Sequence, residues 1–180
     1  MLELSLHLLD ILENAVRARA GIIRVSIRLD AGSERLTLCV EDDGPGLPVA
    51  PDDALNPFFT TKAGKRTGLG LSLFRAAAQQ AGGDLTLAKS EFGGVKVEAC
   101  FEYNHLDRAP LGEVADTVKA IAVSNPEIVW IVQVQGPGNE ETLTWQDFLL
   151  EAPQDSLFRI GERYAEAVRK ALRDARIKTG

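Results

Sequence analysis

Apolar residues recur at helical spacing from Leu2 to about Arg19, through Leu4, Leu8, Ile11, Leu12, Ala15 and Val16, until Gly21 stops the run. The pattern predicts an amphipathic helix. The period then changes. Ile22 to Leu29 alternates around Val25 and Ile27, Ala31-Gly32-Ser33 makes a turn, and Arg35 to Val40 is a second apolar run, so a β-hairpin follows. Residues 43–67 hold Gly44, Pro45, Gly46, Pro48, Pro51, Pro57 and Gly64, too many breakers for a long regular element. Helical spacing returns from Gly68 to Gln80 and ends at Gly82-Gly83, after which Asp84–Ser90 and Val95–Tyr103 read as two strands joined by Glu91-Phe92-Gly93-Gly94.

Past a polar, proline-ended stretch at 105–110, Leu111 to Ser124 is again helical in period and is stopped by Asn125-Pro126. Ile128–Val134 and Thr142–Trp145 predict a hairpin turned by Gly136-Pro137-Gly138-Asn139, and a last helix runs from Asp155 or Ser156 through Leu172. Helices separated by paired strands predict an α+β fold with helices covering one face of a mixed sheet. The division expected is a domain over 1–104, a linker at 105–110 and a small α-β-β-α module over 111–180.

Composition narrows the function. A chain of 180 residues with 45% apolar and 26% charged residues is ordinary globular material. A net charge of −6 repels phosphate backbones and anionic lipid, which argues against nucleic-acid and membrane partners. Cys39 and Cys100 lie in apolar strand-like runs without CxxC spacing, which predicts two reduced thiols rather than a metal site or a disulfide. The N-terminus carries Asp10 and Glu13 early, unlike a secretory signal, and no apolar stretch reaches membrane-spanning length, so a cytoplasmic protein is expected.

Three short motifs carry chemistry. Asp10 and Asn14 sit four apart on one helix face. Asp42-Asp43-Gly44-Pro45-Gly46 ends an apolar strand with carboxylates and glycines. Gly68-Leu69-Gly70-Leu71 opens an apolar helix, where unpaired backbone N–H groups and the positive helix end favour phosphate. Together these predict one nucleotide site, with a metal ligand, a base reader and a phosphate cradle. Asp43, beside Asp42 and before Gly44, reads as a turn former.

The motifs, in this order and spacing over roughly residues 2–103, resemble the GHKL ATPase superfamily of gyrase, the ninety-kilodalton heat-shock chaperone, histidine kinases and MutL. Leu8–Arg19 is similar to its N box, Asp42–Gly46 to its G1 box, Phe58-Phe59-Thr60-Thr61-Lys62 to its F box, and Thr67-Gly68-Leu69-Gly70-Leu71-Ser72 to its G2 box. Gly82-Gly83 and Gly93-Gly94 fall where histidine kinases have their closing hairpin. The resemblance implies a two-layer α/β sandwich of the Bergerat type that binds ATP with Mg²⁺. It further implies that Asn14 coordinates the metal, that Asp42 reads the adenine amine, and that Gly44 and Gly46 let backbone approach the base. Thr61, Lys62, Lys65, Thr67, Gly68, Leu69, Gly70 and Leu71 complete the nucleotide-binding set.

Two departures shape the catalytic expectation. Asp10 stands where the gyrase and MutL branches hold a water-activating Glu. Val95 stands where histidine kinases commonly have an adenine-binding Thr, a role open to Thr37 or Thr86. His7 is followed by Leu8 rather than an acid and reads as an ordinary helix residue. The expected function is therefore a Mg²⁺-dependent ATP-binding protein, with transfer of the γ-phosphoryl group to a separate protein partner if it turns over, as in the related anti-sigma serine kinases. Asp10 or Glu13 is the candidate base. The rival reading is an ATP/ADP-sensing module that meets a partner through its C-terminal region, where the basic last helix could dock an acidic protein.

Overall fold

Alternation along the strands sorts one sheet face into a core and leaves the other polar. The computed structural model describes residues 3–55 and 69–180. Helix α1 covers Leu4–Arg17, β1 Ile22–Asp30 and β2 Arg35–Asp42. A single-turn α2 (Pro51–Ala54) precedes α3 (Leu69–Gln80), β3 (Asp84–Lys89) and β4 (Val95–Glu102). Then come α4 (Val114–Ser124), β5 (Val129–Gly136), β6 (Asn139–Thr144), α5 (Trp145–Glu151) and α6 (Leu157–Asp174).

The six strands of the described residues form one mixed sheet in the order β3-β4-β2-β1-β5-β6. Antiparallel pairs account for most of it, while β1 and β5 run parallel, with Ile23, Val25 and Ile27 opposite Trp130, Val132 and Val134. Those six side chains are buried and point to the helix layer with Leu36, Leu38, Val97 and Phe101. On the other face Ser26, Thr37, Cys39, Glu98 and Gln133 line a shallow polar groove. Burial there pushes the Cys39 thiol up to about 12, which keeps it an unreactive thiol.

The C-terminal segment keeps the expected α-β-β-α order, with α5 added, but its strands extend the N-terminal sheet and its side chains join one contiguous apolar core. Parallel pairing of β1 with β5 is a contact across a hundred residues, invisible to local periodicity. Backbone between the two halves is stitched in as well. The Leu4 and Ser5 N–H groups donate to the Pro110 and Leu111 carbonyls at 2.9 Å each, satisfying the free start of α1 without a side-chain cap.

Trp145, expected at a strand end, instead opens α5. It is fully buried, edge-on to Tyr164 of α6 at 5.4 Å, and Phe148 meets the same ring at 5.1 Å. Helix α6 packs on α4 at Gly161, where a Cβ would fall 2.7 Å from Val123. Its basic residues are largely engaged in ion pairs: Arg169 with Asp116, Lys170 with Asp174 and Arg173 with Glu166. The basic helix is thus a charge-paired face. Among the described residues no helix is long and apolar enough to cross a membrane.

Candidate functional site

Asp42 is the last residue of β2, and the strand alternation that buries Leu38 and Val40 also turns its carboxylate into the helix layer, where it is 7% exposed. A buried carboxylate needs donors. Two backbone groups supply them: the Gly44 N–H donates to Asp42 Oδ1 at 2.8 Å and the Val95 N–H donates to the same oxygen at 3.2 Å. Both bonds go to Oδ1.

The hairpin between β3 and β4 closes tightly on this carboxylate. The Gly94 N–H donates to the Asp42 carbonyl at 3.1 Å, and a Cβ on Gly94 would lie 2.1 Å from Asp42 Oδ1. Only glycine fits there. Gly46 has φ +84°, the left-handed region, so the loop after β2 turns without strain.

Asp42 opens into a cavity of about 150 Å³ shared with Ile11, Asn14, Pro45, Gly46, Leu71 and Val97. The cavity is mostly apolar, with the buried Asp42 carboxylate in its wall. Asn14 stands at its exposed lip on α1, with no side-chain hydrogen bond among the described residues. Its amide oxygen is the hard, neutral ligand type that magnesium accepts alongside phosphate oxygens. No cluster of three or more His, Cys, Asp or Glu among the described residues forms a metal site by itself.

Asp10 lies one turn before Asn14, facing the start of α3: a Cβ on Gly70 would sit 3.4 Å from Asp10 Oδ2. Leu71 lines the cavity, while Leu69 is solvent-exposed and accepts a hydrogen bond from the Ser72 hydroxyl through its carbonyl at 3.0 Å. Thr61, Lys62, Lys65, Thr67 and Gly68, together with Phe58 and Phe59, lie outside the described residues. Glu13 is placed elsewhere. It pairs with Arg17 at 2.6 Å and lines a groove between α1 and α4 with Ala120 and Ile121, on the side away from the cavity.

Three more expectations meet the structure. Asp43 does not close its own turn; its Oδ1 accepts the Gly21 and Ile22 N–H groups at 2.7 and 2.9 Å, tying the end of β2 to the start of β1. Thr37 and Thr86 lie on the polar face of the sheet, Thr37 in its groove and Thr86 across from Glu98, so neither lines the Asp42 cavity. His7 is 7% exposed and stacked on Phe74 at 5.2 Å, where burial lowers its pKa and the nearby Asp10 charge only partly offsets that.

Parts of the site escape sequence reasoning. Val95 stood out only for the side chain it lacks, whereas it acts through its backbone N–H, which no side-chain pattern announces. Ala18, Leu47 and Val97 complete the cavity wall as apolar positions of otherwise ordinary elements.

The family described as histidine kinase-, DNA gyrase B-, and HSP90-like ATPase matches residues 2–105. Sensor protein PhoQ of Escherichia coli is 29% identical over 100 residues, covering 53% of this chain and 20% of PhoQ. Two-component sensor PprA of Pseudomonas aeruginosa is 35% identical over 101 residues, covering 53% of this chain and 11% of PprA. The chain therefore spans a fifth or less of the length of these relatives. Among solved structures, the ATP binding domain of PrrB from Mycobacterium tuberculosis aligns with a TM-score of 0.41 and 22% identity, covering 54% of this chain and 65% of that one.

Proposed function

We propose, since this chain belongs to the histidine kinase-, DNA gyrase B-, and HSP90-like ATPase family, that it binds ATP with Mg²⁺ and passes the γ-phosphoryl group to a separate protein. The observation that carries the reading is the Asp42 carboxylate: buried, held by two backbone donors through Oδ1, and lining a mostly apolar cavity. An exocyclic amine is a donor, so a carboxylate oxygen accepts from adenine and rejects the carbonyl that guanine presents at the same ring position.

Each residue has a part in this proposal. Ile11, Leu71 and Val97 exclude water around the ring. Gly46 and Gly44 allow the backbone to pass close to it. Asn14 would hold the metal, which when bound neutralises charge on the phosphates. Phosphoryl transfer asks mainly for positioning and electrostatic stabilisation from the protein. Asp10, beside Gly70 at the start of α3, is the candidate to accept a proton from the attacking hydroxyl; Glu13, ion-paired on the α4 side, is not placed for it.

Incubation with γ-labelled ATP and Mg²⁺, with and without candidate partner proteins, tests the reading. Label appearing on a partner with the parent protein and vanishing with Asn14→Ala is the expected result. Tight nucleotide binding with neither release nor transfer would replace it with a nucleotide-sensing role.

A further inference from the structure

Behind the base cavity, on the opposite face of the sheet, lies a second arrangement that no motif covers. Arg24 of β1 stands opposite Glu41 of β2 in register, and its guanidinium Nη2 is paired with both Glu41 and Glu91. The same guanidinium carbon lies 4.8 Å from the centre of the Phe92 ring. Glu41 is 7% exposed, so this is a largely desolvated grip on one side and a solvent-facing one at Glu91.

What Arg24 holds is the β3–β4 turn. Glu91 and Phe92 are its middle residues, and the turn is otherwise closed by Ser90: the Phe92 N–H donates to the Ser90 hydroxyl and the Ser90 N–H to the Gly94 carbonyl, both at 3.0 Å. Gly93 also turns back, its N–H donating to the Ser90 carbonyl at 3.0 Å, and the two N–H groups after it, those of Gly94 and Val95, are the ones that fix Asp42. Arg24 thus reaches from the central strand to the turn on one face, and the turn reaches Asp42 on the other. The clearance at Gly94 leaves no slack between the two.

From this geometry we infer that Arg24, with Glu41, Glu91 and Phe92, is a positioning clamp that sets the height of the β3–β4 turn and thereby aims the Asp42 carboxylate at the base. It contacts no nucleotide; it acts through Gly94 and Val95. The consequence for base selectivity rests on the proposed adenine site, whereas the consequence for the Val95 N–H does not.

The test uses Glu91→Ala and Phe92→Leu, whose side chains lie at the exposed end of the clamp, so that the buried Arg24–Glu41 pair stays intact. Amide hydrogen exchange of the nucleotide-free protein reads the clamp: Val95 and Gly44 should exchange about tenfold faster in each variant while Leu38 and Ile27 stay as in the parent. Phe92→Tyr, which keeps the ring face, should exchange as the parent does. In parallel, the preference for ATP over GTP should narrow roughly fivefold in the two disruptive variants, with overall thermal stability little changed. Unchanged Val95 exchange in both would overturn the clamp, whatever the nucleotide data say. A parent protein that binds neither nucleotide would instead overturn the proposed function, and the exchange result would still decide the clamp.

Discussion

Gly94 and Asp42 are in such close contact that the smallest side chain on the glycine would overlap the carboxylate, its Cβ 2.1 Å from Oδ1 and 2.6 Å from the Asp42 carbonyl. Two segments more than fifty residues apart are in this way locked into one wall of the cavity. Gly94→Ala must push the hairpin off β2 and break the Val95 N–H bond to Asp42. The expected cost is more than about 2 kcal/mol of stability together with loss of adenine-nucleotide binding, read by urea denaturation and calorimetric titration.

Asp42 itself is tested by Asp42→Asn. The substitution keeps shape but removes the charge and puts a donor where the adenine amine would donate. Affinity for ADP should fall roughly 10- to 100-fold, the worth of a charge-assisted hydrogen bond of about 1.5–3 kcal/mol. An affinity equal to the parent's would remove Asp42 from its role as base reader.

Asn14→Ala separates metal from base. Binding of ADP without magnesium should hold within about twofold, while the tightening that magnesium gives to ATP binding is lost, because Asn14 lies at the cavity lip and Asp42 at its floor. Equal loss in both conditions would place Asn14 among the base contacts instead.

His7 gives the fold a pH dependence with a definite sign. Burial against Phe74 disfavours the imidazolium, so the folded pKa lies below the ordinary 6.5. The unfolded chain then binds more protons between the two values, and stability falls as pH drops from about 6.5 toward the folded pKa. Above that window the residue is neutral in both states and contributes no slope. Denaturation at pH 7.5 and 5.5 should show the loss in the parent protein, and His7→Phe should remove His7's share of it.

Most elements were legible because their periodicities are local. The shift from spacing at Leu4, Leu8 and Ile11 to alternation at Val25 and Ile27 marks α1 and β1 without any tertiary information. The fold's long-range pairings were not. Nothing near Val129–Gly136 says that its neighbour is β1, and α5 begins at Trp145 because that ring fits against Tyr164, a fact of packing rather than of propensity. The polar groove carrying Thr37 shows the same limit: residue type suggested an adenine contact, and strand parity put it on the wrong face.

At the candidate site the split follows the kind of group involved. Asp42, Asn14, Gly46 and Leu71 were found through side chains or glycine, and the structure gathers them round one cavity. The Val95 contribution was not, since its N–H would be the same with any residue but proline there. Glu13 shows the converse, an attractive residue type on the side of α1 that turns away.

Adenine-nucleotide binding is the claim on which the rest depends, and isothermal titration of the parent protein with ADP and with a nonhydrolysable ATP analogue, each with magnesium, measures it directly. Saturable binding of both, markedly tighter than GDP under the same conditions, is the expected result. Absence of binding at millimolar nucleotide, or equal binding of adenine and guanine nucleotides, would contradict the account.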